Sequence, residues 1–439
     1  MYFGSRAARW RLGRERAGVW TAHTCTSASA VRLGRVDTDL PDRRPARAVA
    51  VVGGSRYLGA HLVGMLLRND SIERVLAIDS VKPSPQHRRR MRDAEFVRLD
   101  PQSPRLQGIL READIDTVVH AGLHHTDFAP GGRAAVKEAN IMGSMHVIAA
   151  CGRASSVTRF VLISSSAVYG SSGVDPAMFS EDMAARRLPS GGIPLDHSAV
   201  EGYVRGMSRK RPDIDVTILR IPAILGLPEP TVVGELLLPS VAPILAGYDP
   251  RIQLLHPQDA LDALAHATTG ATPGTYNIAG DGILTLTQAI RRAGHIPLPV
   301  MPQTFKLAAR LLSSQGLRDI GVSQLRYLRY GRTMDTTRMR TEFGFEPRYT
   351  TEEALHAYLV DSGAEPLITR ASLERKTARI AARLPSPVAD RLRAGVDTTL
   401  GELESIGALP DPGALPDPGV PGPGSPDANE PEPTVEEAP

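Results

Sequence analysis

Ala48-Val49-Ala50-Val51-Val52-Gly53-Gly54-Ser55-Arg56-Tyr57-Leu58-Gly59 is an apolar run ending in a glycine turn, and the chain continues as His61-Leu62-Val63-Gly64-Met65-Leu66-Leu67. The first five residues are uniformly apolar, which marks a strand buried on both faces. The residues after the turn carry a helical pattern over 58–68. Strand, glycine turn, helix is the context in which glycines hold a dinucleotide. Gly53 permits the tight turn and Gly59 lets the helix pack against the strand. The amides of Tyr57 and Leu58, at the helix start, offer donors to a pyrophosphate. A second strand, Val75-Leu76-Ala77-Ile78-Asp79, ends in an acid 20 positions after Gly59, where a ribose 2′-hydroxyl is read. The pattern lacks one glycine, because Arg56 stands where another is expected.

From residue 48 onward, strands alternate with helices. Apolar strands are expected at 48–52, 75–79, 96–99, 117–120, 160–164 and 216–220, with helices at 58–68, 104–111, 131–152 and 196–210. That alternation predicts an α/β protein: a Rossmann-type, doubly wound parallel sheet covered on both faces. Residues 225–360 are mixed, with a strand at 251–255 and helices at 260–268, 286–293 and 304–312, and read as a smaller C-terminal lobe. The expected organisation is a dinucleotide-binding domain over 47–365, a helical extension over 366–405 and a tail over 406–439. The tail repeats Ala-Leu-Pro-Asp-Pro-Gly at 408–413 and 414–419 and is otherwise Pro, Gly and acid. It cannot bury a core and is expected to be disordered. Residues 1–46 are Arg-rich without a helical period. They read as a disordered leader or a misassigned start rather than a targeting signal.

Net charge is only +3 over 439 residues, which gives no reason to expect a nucleic-acid partner. Two cysteines, Cys25 and Cys151, make no disulfide framework and suit a reducing, cytoplasmic setting. No apolar run approaches the ~20 residues of a membrane span. The basic stretch from Leu373 to Ile380 reads as a surface helix in preference to a membrane-surface or partner helix.

These residues resemble the extended short-chain dehydrogenase/reductase superfamily, and within it the NAD-dependent epimerase/dehydratase family, whose turn is G-x-x-G-x-x-G. Gly53 and Gly59 match, and Arg56 replaces the middle glycine. Against the shorter branch's G-x-x-x-G-x-G, Arg56 fits and Tyr57 replaces a glycine instead. Further landmarks follow in order. Asp100 resembles the acid that contacts the adenine, and Val118-Val119-His120-Ala121-Gly122 resembles V-V-H-x-A-A. Asn140 resembles the helix residue that props up the active site. Ser164-Ser165-Ser166-Ala167-Val168-Tyr169-Gly170 resembles the strand end of sugar-nucleotide epimerases, with Ser165 as the catalytic hydroxyl. Ser166-Ala167 takes the place of the Asp-Glu pair of dehydratases, which argues against dehydration. Leu219-Arg220, His256 with Asp259, Tyr276-Asn277-Ile278 and Asp335-Thr336-Thr337-Arg338 resemble later landmarks, the middle two in the small lobe.

The resemblance implies NAD, with NADP disfavoured because Asp79 repels a 2′-phosphate; Arg56 is the counter-indication, since it can pair with a phosphate. It also implies a nucleotide-linked sugar, a homodimer, and transient oxidation and re-reduction of a sugar carbon. The family's Tyr-x-x-x-Lys dyad is missing. Aligned through Glu201, the lysine becomes His197 and the tyrosine becomes Ile193. Isoleucine has no proton to exchange, so His197, or a histidine of the loop after the fourth strand (His124, His125, near Asp127), has to act instead. No second carboxylate or cysteine cluster accompanies them, so no metal is expected. Arg326, Arg329 and Arg332 recur every third residue, as a substrate-gripping stripe led by Arg326 or as a solvated face. The alternative to an enzyme is a non-catalytic relative that binds NAD or a sugar nucleotide as a sensor or scaffold.

Overall fold

The computed structural model describes residues 45–363, except 92–93, 127–130, 187–190, 240 and 313–319, together with Asp390 and Asp397. The leader, the tail and all but those two positions of the helical extension lie outside the described residues, as do Cys25 and Asp127.

Six strands and six helices frame the cleft: β1 (Ala48–Val52), α1 (Tyr57–Leu66), β2 (Arg74–Asp79), α2 (Pro85–Arg90), β3 (Glu95–Arg98), α3 (Arg105–Glu112), β4 (Thr117–His120), α4 (Gly132–Glu138), α5 (Ser144–Arg153), β5 (Arg159–Ser165), α6 (Gly192–Lys210) and β6 (Asp215–Ile221). They form one parallel sheet whose order is Gly274–Asn277, β6, β5, β4, β1, β2, β3. The α/β, Rossmann-type fold expected from the sequence is borne out.

Side chains alternate across each strand, and so feed two cores. Val49, Val51, Val119, Val161 and Ile163 pack with Leu62 and Val63 of α1 and Leu261 and Leu264 of the helix Pro257–Thr269. Ala50, Val52, Val118, Phe160 and Leu162 pack on the other face with Leu106, Leu110, Val147 and Val204. Strand order reverses between β1 and β4, the crevice where such sheets bind ligands.

Four local differences from the sequence reading matter. The helix expected over 131–152 is interrupted by a π-helical turn, Ala139–Gly143. The expected strand 251–255 is two short strands, Arg251–Ile252 and Leu254–Leu255, with different partners. The strand Gly274–Asn277, assigned to the small lobe, pairs in parallel with β6 and closes the main sheet. The helix Val322–Tyr330 ends at Gly331, whose φ of +69° ends the helix, so Arg332 leaves the stripe it was grouped with. The small lobe has its own core, including Leu236, Leu237, Leu245, Leu286, Phe305 and Leu355.

Candidate functional site

The glycine turn is built by close approach. Gly53 has φ +88°, and a Cβ there would lie 2.6 Å from the backbone of Gly122, just after β4. A Cβ on Gly59 would lie 2.2 Å from the Gly53 carbonyl oxygen. These two glycines weld β1, α1 and the end of β4 together, and only a bare Cα fits. Arg56 caps α1 without a side-chain hydrogen bond, and the first turn carries no acid. Its orphan amides therefore suit an anion.

Asp79 is 7% exposed at the end of β2. One carboxylate oxygen accepts from the Ser55 amide (3.2 Å) and hydroxyl (2.5 Å), the other from the Val81 amide (3.2 Å). Those bonds aim the carboxylate at the turn. The basic helix α2 follows directly, with Ser84 as its N-cap, and His87 Nδ1 reaches the Ser55 carbonyl at 3.0 Å. Asp100 is exposed in a turn of its own, accepting from the Gln102 amide.

The Arg56 side chain reaches across the cleft instead of lying over the turn. Its two terminal nitrogens face the His124 ring at 2.6 and 3.1 Å. One of them also pairs at 3.2 Å with Glu229, on a small-lobe loop. The residue in place of the middle glycine thus ties the two lobes together.

Asn140, buried in the π-helical turn, clamps the loop after β4. Its Oδ1 accepts from the His124 amide (2.8 Å) and its Nδ2 donates to the His124 carbonyl (3.1 Å). A π turn adds a residue to a helix and re-aims what it carries, which is why such turns mark functional sites. The two Asn140 bonds fix the backbone of His124. Below the loop, His120 Nε2 meets the Ser144 hydroxyl at 2.8 Å. Ala121 donates its amide to the Val52 carbonyl at 2.8 Å, tying β4's end to β1.

Four histidines crowd this loop, and burial pushes every one toward the neutral form. His120 is lowered to about 3 by burial, then by Arg56 and His197. His124 is lowered to about 4 by burial and Arg56, with Asp79 opposing. His125 is driven well below the usual range by burial, then by His197 and Arg56. His197 is lowered by burial, against its bond to the His124 carbonyl and the charges of Glu201 and Asp196.

The reacting end of the cleft is different in kind. Ser165 ends β5, and its hydroxyl accepts from the Ala167 amide at 3.1 Å. Ile193, on α6, is buried in the cleft wall against Val136 and Ala167. His197 has no exposed surface; its Nε2 lies 3.0 Å from the His124 carbonyl, and its Nδ1 has no partner among the described residues. The histidine that does line the cleft is His125, whose ring meets His197 edge-on at 5.0 Å. The wall behind is a rigid scaffold. Asp196 holds Arg133 through two 2.7 Å bonds. Glu201 binds Arg220, Ser164 and Arg205; burial alone would raise its pKa, but Arg220 and Ser164 hold it below the usual range. Tyr169 is not free for chemistry: its hydroxyl donates to Asn277 and accepts from Arg220, and its ring stacks on Phe179.

Arg332 is the side chain that the sequence reading grouped but did not single out. From beyond Gly331 it enters the cleft, donating from Nε to the Ser166 hydroxyl (3.1 Å) and from Nη1 to the Gly170 carbonyl (2.9 Å). Its guanidinium lies over the Tyr327 ring at 4.9 Å. Burial lowers its pKa, with Tyr327 and the more distant Asp175 opposing. It has no carboxylate partner among the described residues. Arg326 is half-buried on the preceding helix and does not line the cleft. Arg329 is exposed and stacks on Tyr248. The signal for Arg332 was in the sequence, as the helix-ending Gly331 just before it. No group of metal-ligating side chains occurs among the described residues.

Comparisons with known proteins identify the family and the fold. The sequence profile of the NAD dependent epimerase/dehydratase family matches residues 49–279. An uncharacterized protein of Mycobacterium tuberculosis is 47% identical over 324 residues, covering 73% of this chain and 86% of that protein. Among solved structures, dTDP-glucose 4,6-dehydratase from Bacillus anthracis in complex with NAD aligns with a TM-score of 0.55 at 17% identity, over 72% of this chain and 96% of that one. UDP-glucose 4-epimerase from Thermotoga maritima, with UDP-glucose, aligns with a TM-score of 0.54 at 17% identity, over 72% of this chain and 99% of that one. At such identity the two structures speak to the fold.

Proposed function

The chain belongs to the NAD-dependent epimerase/dehydratase family, and on that footing we propose that it binds NAD along the Gly53–Gly59 turn, takes a nucleotide-linked sugar into the adjoining cleft, and interconverts sugar epimers by transient oxidation at one ring carbon. The observation that carries this reading is the pairing, in one cleft, of Ser165 with the uncompensated cation Arg332. A half-buried cation in a largely apolar cleft, with no carboxylate partner among the described residues, favours a ligand that supplies the charge, and a nucleotide sugar is an anion.

The residues fit the cofactor. The glycines admit a backbone-to-phosphate approach, Asp79 is set to accept from ribose hydroxyls, and Arg56 can exchange Glu229 for a phosphate. Asp79 favours NAD over NADP; the basic α2 beside it is the feature that opposes this. NAD, when bound, supplies the hydride acceptor. The chain's own residues handle the proton. Ser165 binds the reacting hydroxyl. Neutral His125 takes its proton, and His197, packed edge-on behind that ring, positions it. Exposed Met142, Met145, Leu195 and Tyr203 on the helices flanking this wall support a homodimer. No described helix is long and apolar enough to cross a membrane.

A second reading is favoured by Ile193: a binder without turnover, serving as sensor or scaffold. The test is conversion of a panel of UDP-sugars by the wild type, His125→Ala and His197→Ala. The enzyme reading predicts conversion that falls by about 10²–10⁴-fold in His125→Ala, and by less in His197→Ala. Background conversion by all three, with NAD bound, leaves the binder.

A further inference from the structure

We infer that Tyr327 is a second proton-carrying residue of the cleft, the acid that returns a proton to the substrate oxygen after His125 has taken one. This rests on the functional reading above and adds a residue to it. Tyr327 is half-buried on the small-lobe helix Val322–Tyr330 and lines the cleft together with Ser165, His125 and Ile193. Gln324, one turn earlier on the same face, lines it too. The helix is seated against the start of α6: a Cβ on Gly192 would lie 2.7 Å from the Ser323 hydroxyl. It thus brings a phenol to the wall that holds Ile193, which has no proton to exchange. The Tyr327 hydroxyl has no hydrogen-bond partner among the described residues, whereas that of Tyr169 has two.

The Arg332 guanidinium lies over the Tyr327 ring at 4.9 Å, and its Nε is held 3.1 Å from the hydroxyl of Ser166, the residue beside Ser165. A cation over the ring favours the phenolate that proton donation leaves, whichever anionic group of the ligand Arg332 also meets. Burial raises the pKa of Tyr327, with Arg332 opposing, so the phenol rests protonated; His125, driven well below its usual range by burial, rests neutral. One cleft therefore holds a resting acid and a resting base, as a reaction that removes a proton and returns it requires. In the first half, the substrate carbon gives a hydride to bound NAD, its hydroxyl gives the proton to His125, and a ketone forms. The hydride can return to the opposite face only after the sugar has turned in the cleft. In the second half, the carbon takes the hydride back while the ketone oxygen takes the Tyr327 proton, leaving phenolate. The imidazolium then releases its proton to water and the phenolate takes one up from water, which restores both groups. From the other epimer the same steps run in reverse, with Tyr327 as the base.

The test uses the full-length, NAD-saturated protein and a pair of UDP-sugar epimers from the panel above, beginning with UDP-glucose and UDP-galactose. The absorbance of reduced cofactor is followed in single turnovers from each epimer, for the wild type, Tyr327→Phe and His125→Ala, with NAD affinity as the check that each variant is folded. Tyr327→Phe is expected to slow full conversion by about 10²–10⁴-fold, to keep the oxidation step within about threefold of wild type from one epimer, and to lose it from the other. His125→Ala should show the opposite pattern. In the wild type, oxidation of the epimer that needs the phenolate should quicken as pH rises, while that of its partner stays flat near neutrality. Apart from turnover, the phenolate absorbance that Tyr327→Phe removes should titrate at higher pH in Arg332→Gln; an unmoved midpoint would overturn the part given to Arg332. Wild-type conversion by Tyr327→Phe overturns the inference. So does equal slowing from both epimers, because Tyr327 would then only shape or bind. No conversion of any pair by the wild type, with NAD bound, removes the enzyme reading and this inference with it.

Discussion

The two ends of the cleft are held to different degrees. At the glycine-turn end the backbone is over-determined: Gly53, Gly59 and Gly122 touch, and Asp79 is held by three hydrogen bonds. A change there disturbs the sheet and helix that make the fold. At the reacting end, Ile193 lies in the cleft wall against Val136 and Ala167, and His197 is sealed behind it. Ile193 lines the cleft and packs only with Val136 and Ala167 in its buried cluster, so a change there should disturb the sheet and helices less than one at the glycine turn. The fold is therefore a better witness to the cofactor than to the reaction.

The largest effect that would break this contrast comes from Gly59→Ala. Its Cβ, 2.2 Å from the Gly53 carbonyl oxygen, forces α1 off β1. Overpacking against backbone should cost about 3 kcal/mol or more, read by denaturant unfolding, and dinucleotide affinity should collapse. A variant with wild-type stability would show that the turn is not over-determined. At the other end, Ile193→Ala should cost about 2–4 kcal/mol as a buried aliphatic truncation yet leave NAD affinity within about twofold. A large loss of NAD binding would mean that the two ends are not separable.

A smaller effect is the pH dependence of stability. His120 and His124 are held near 3 and 4 in the folded state, below the ordinary 6.5. The unfolded chain therefore binds more protons over that interval. Their contribution is full above about pH 6.5 and drains away as pH falls toward the folded values. Melting temperature should decline from pH 7 to pH 4, and less steeply in His120→Gln, which keeps a partner for Ser144. Parallel profiles would remove His120 from the account. The smallest effect is that of Glu229→Ala. Its pair with Arg56 is partly exposed, at 27% and 40% of the two side chains, so stability should move by under ~1 kcal/mol. A larger loss by thermal denaturation would make the bridge a structural tie.

The parts legible in the sequence were those written in local periodicity. β1 is an unbroken apolar run, β2, β4 and β5 have apolar centres, and the turn is announced by its glycines. The illegible parts are tertiary. Arg56 and Glu229 are 173 positions apart, so nothing local hints at their bridge. The π turn at Asn140 sits within an ordinary helical pattern. The strand Gly274–Asn277 carries no mark of which sheet it joins. Two signals were present and unused: Ser84-Pro85, which starts α2, and Gly331, which sends Arg332 into the cleft.

The central claim is that the glycine-turn end holds a dinucleotide although the reacting end presents Ile193 and His197 in place of the tyrosine and lysine that the family resemblance leads one to expect. It is tested most directly by purifying the protein, denaturing it and identifying released nucleotide by mass spectrometry, with added NAD where none co-purifies. The account predicts bound NAD. No dinucleotide binding, even at millimolar concentration, would contradict it.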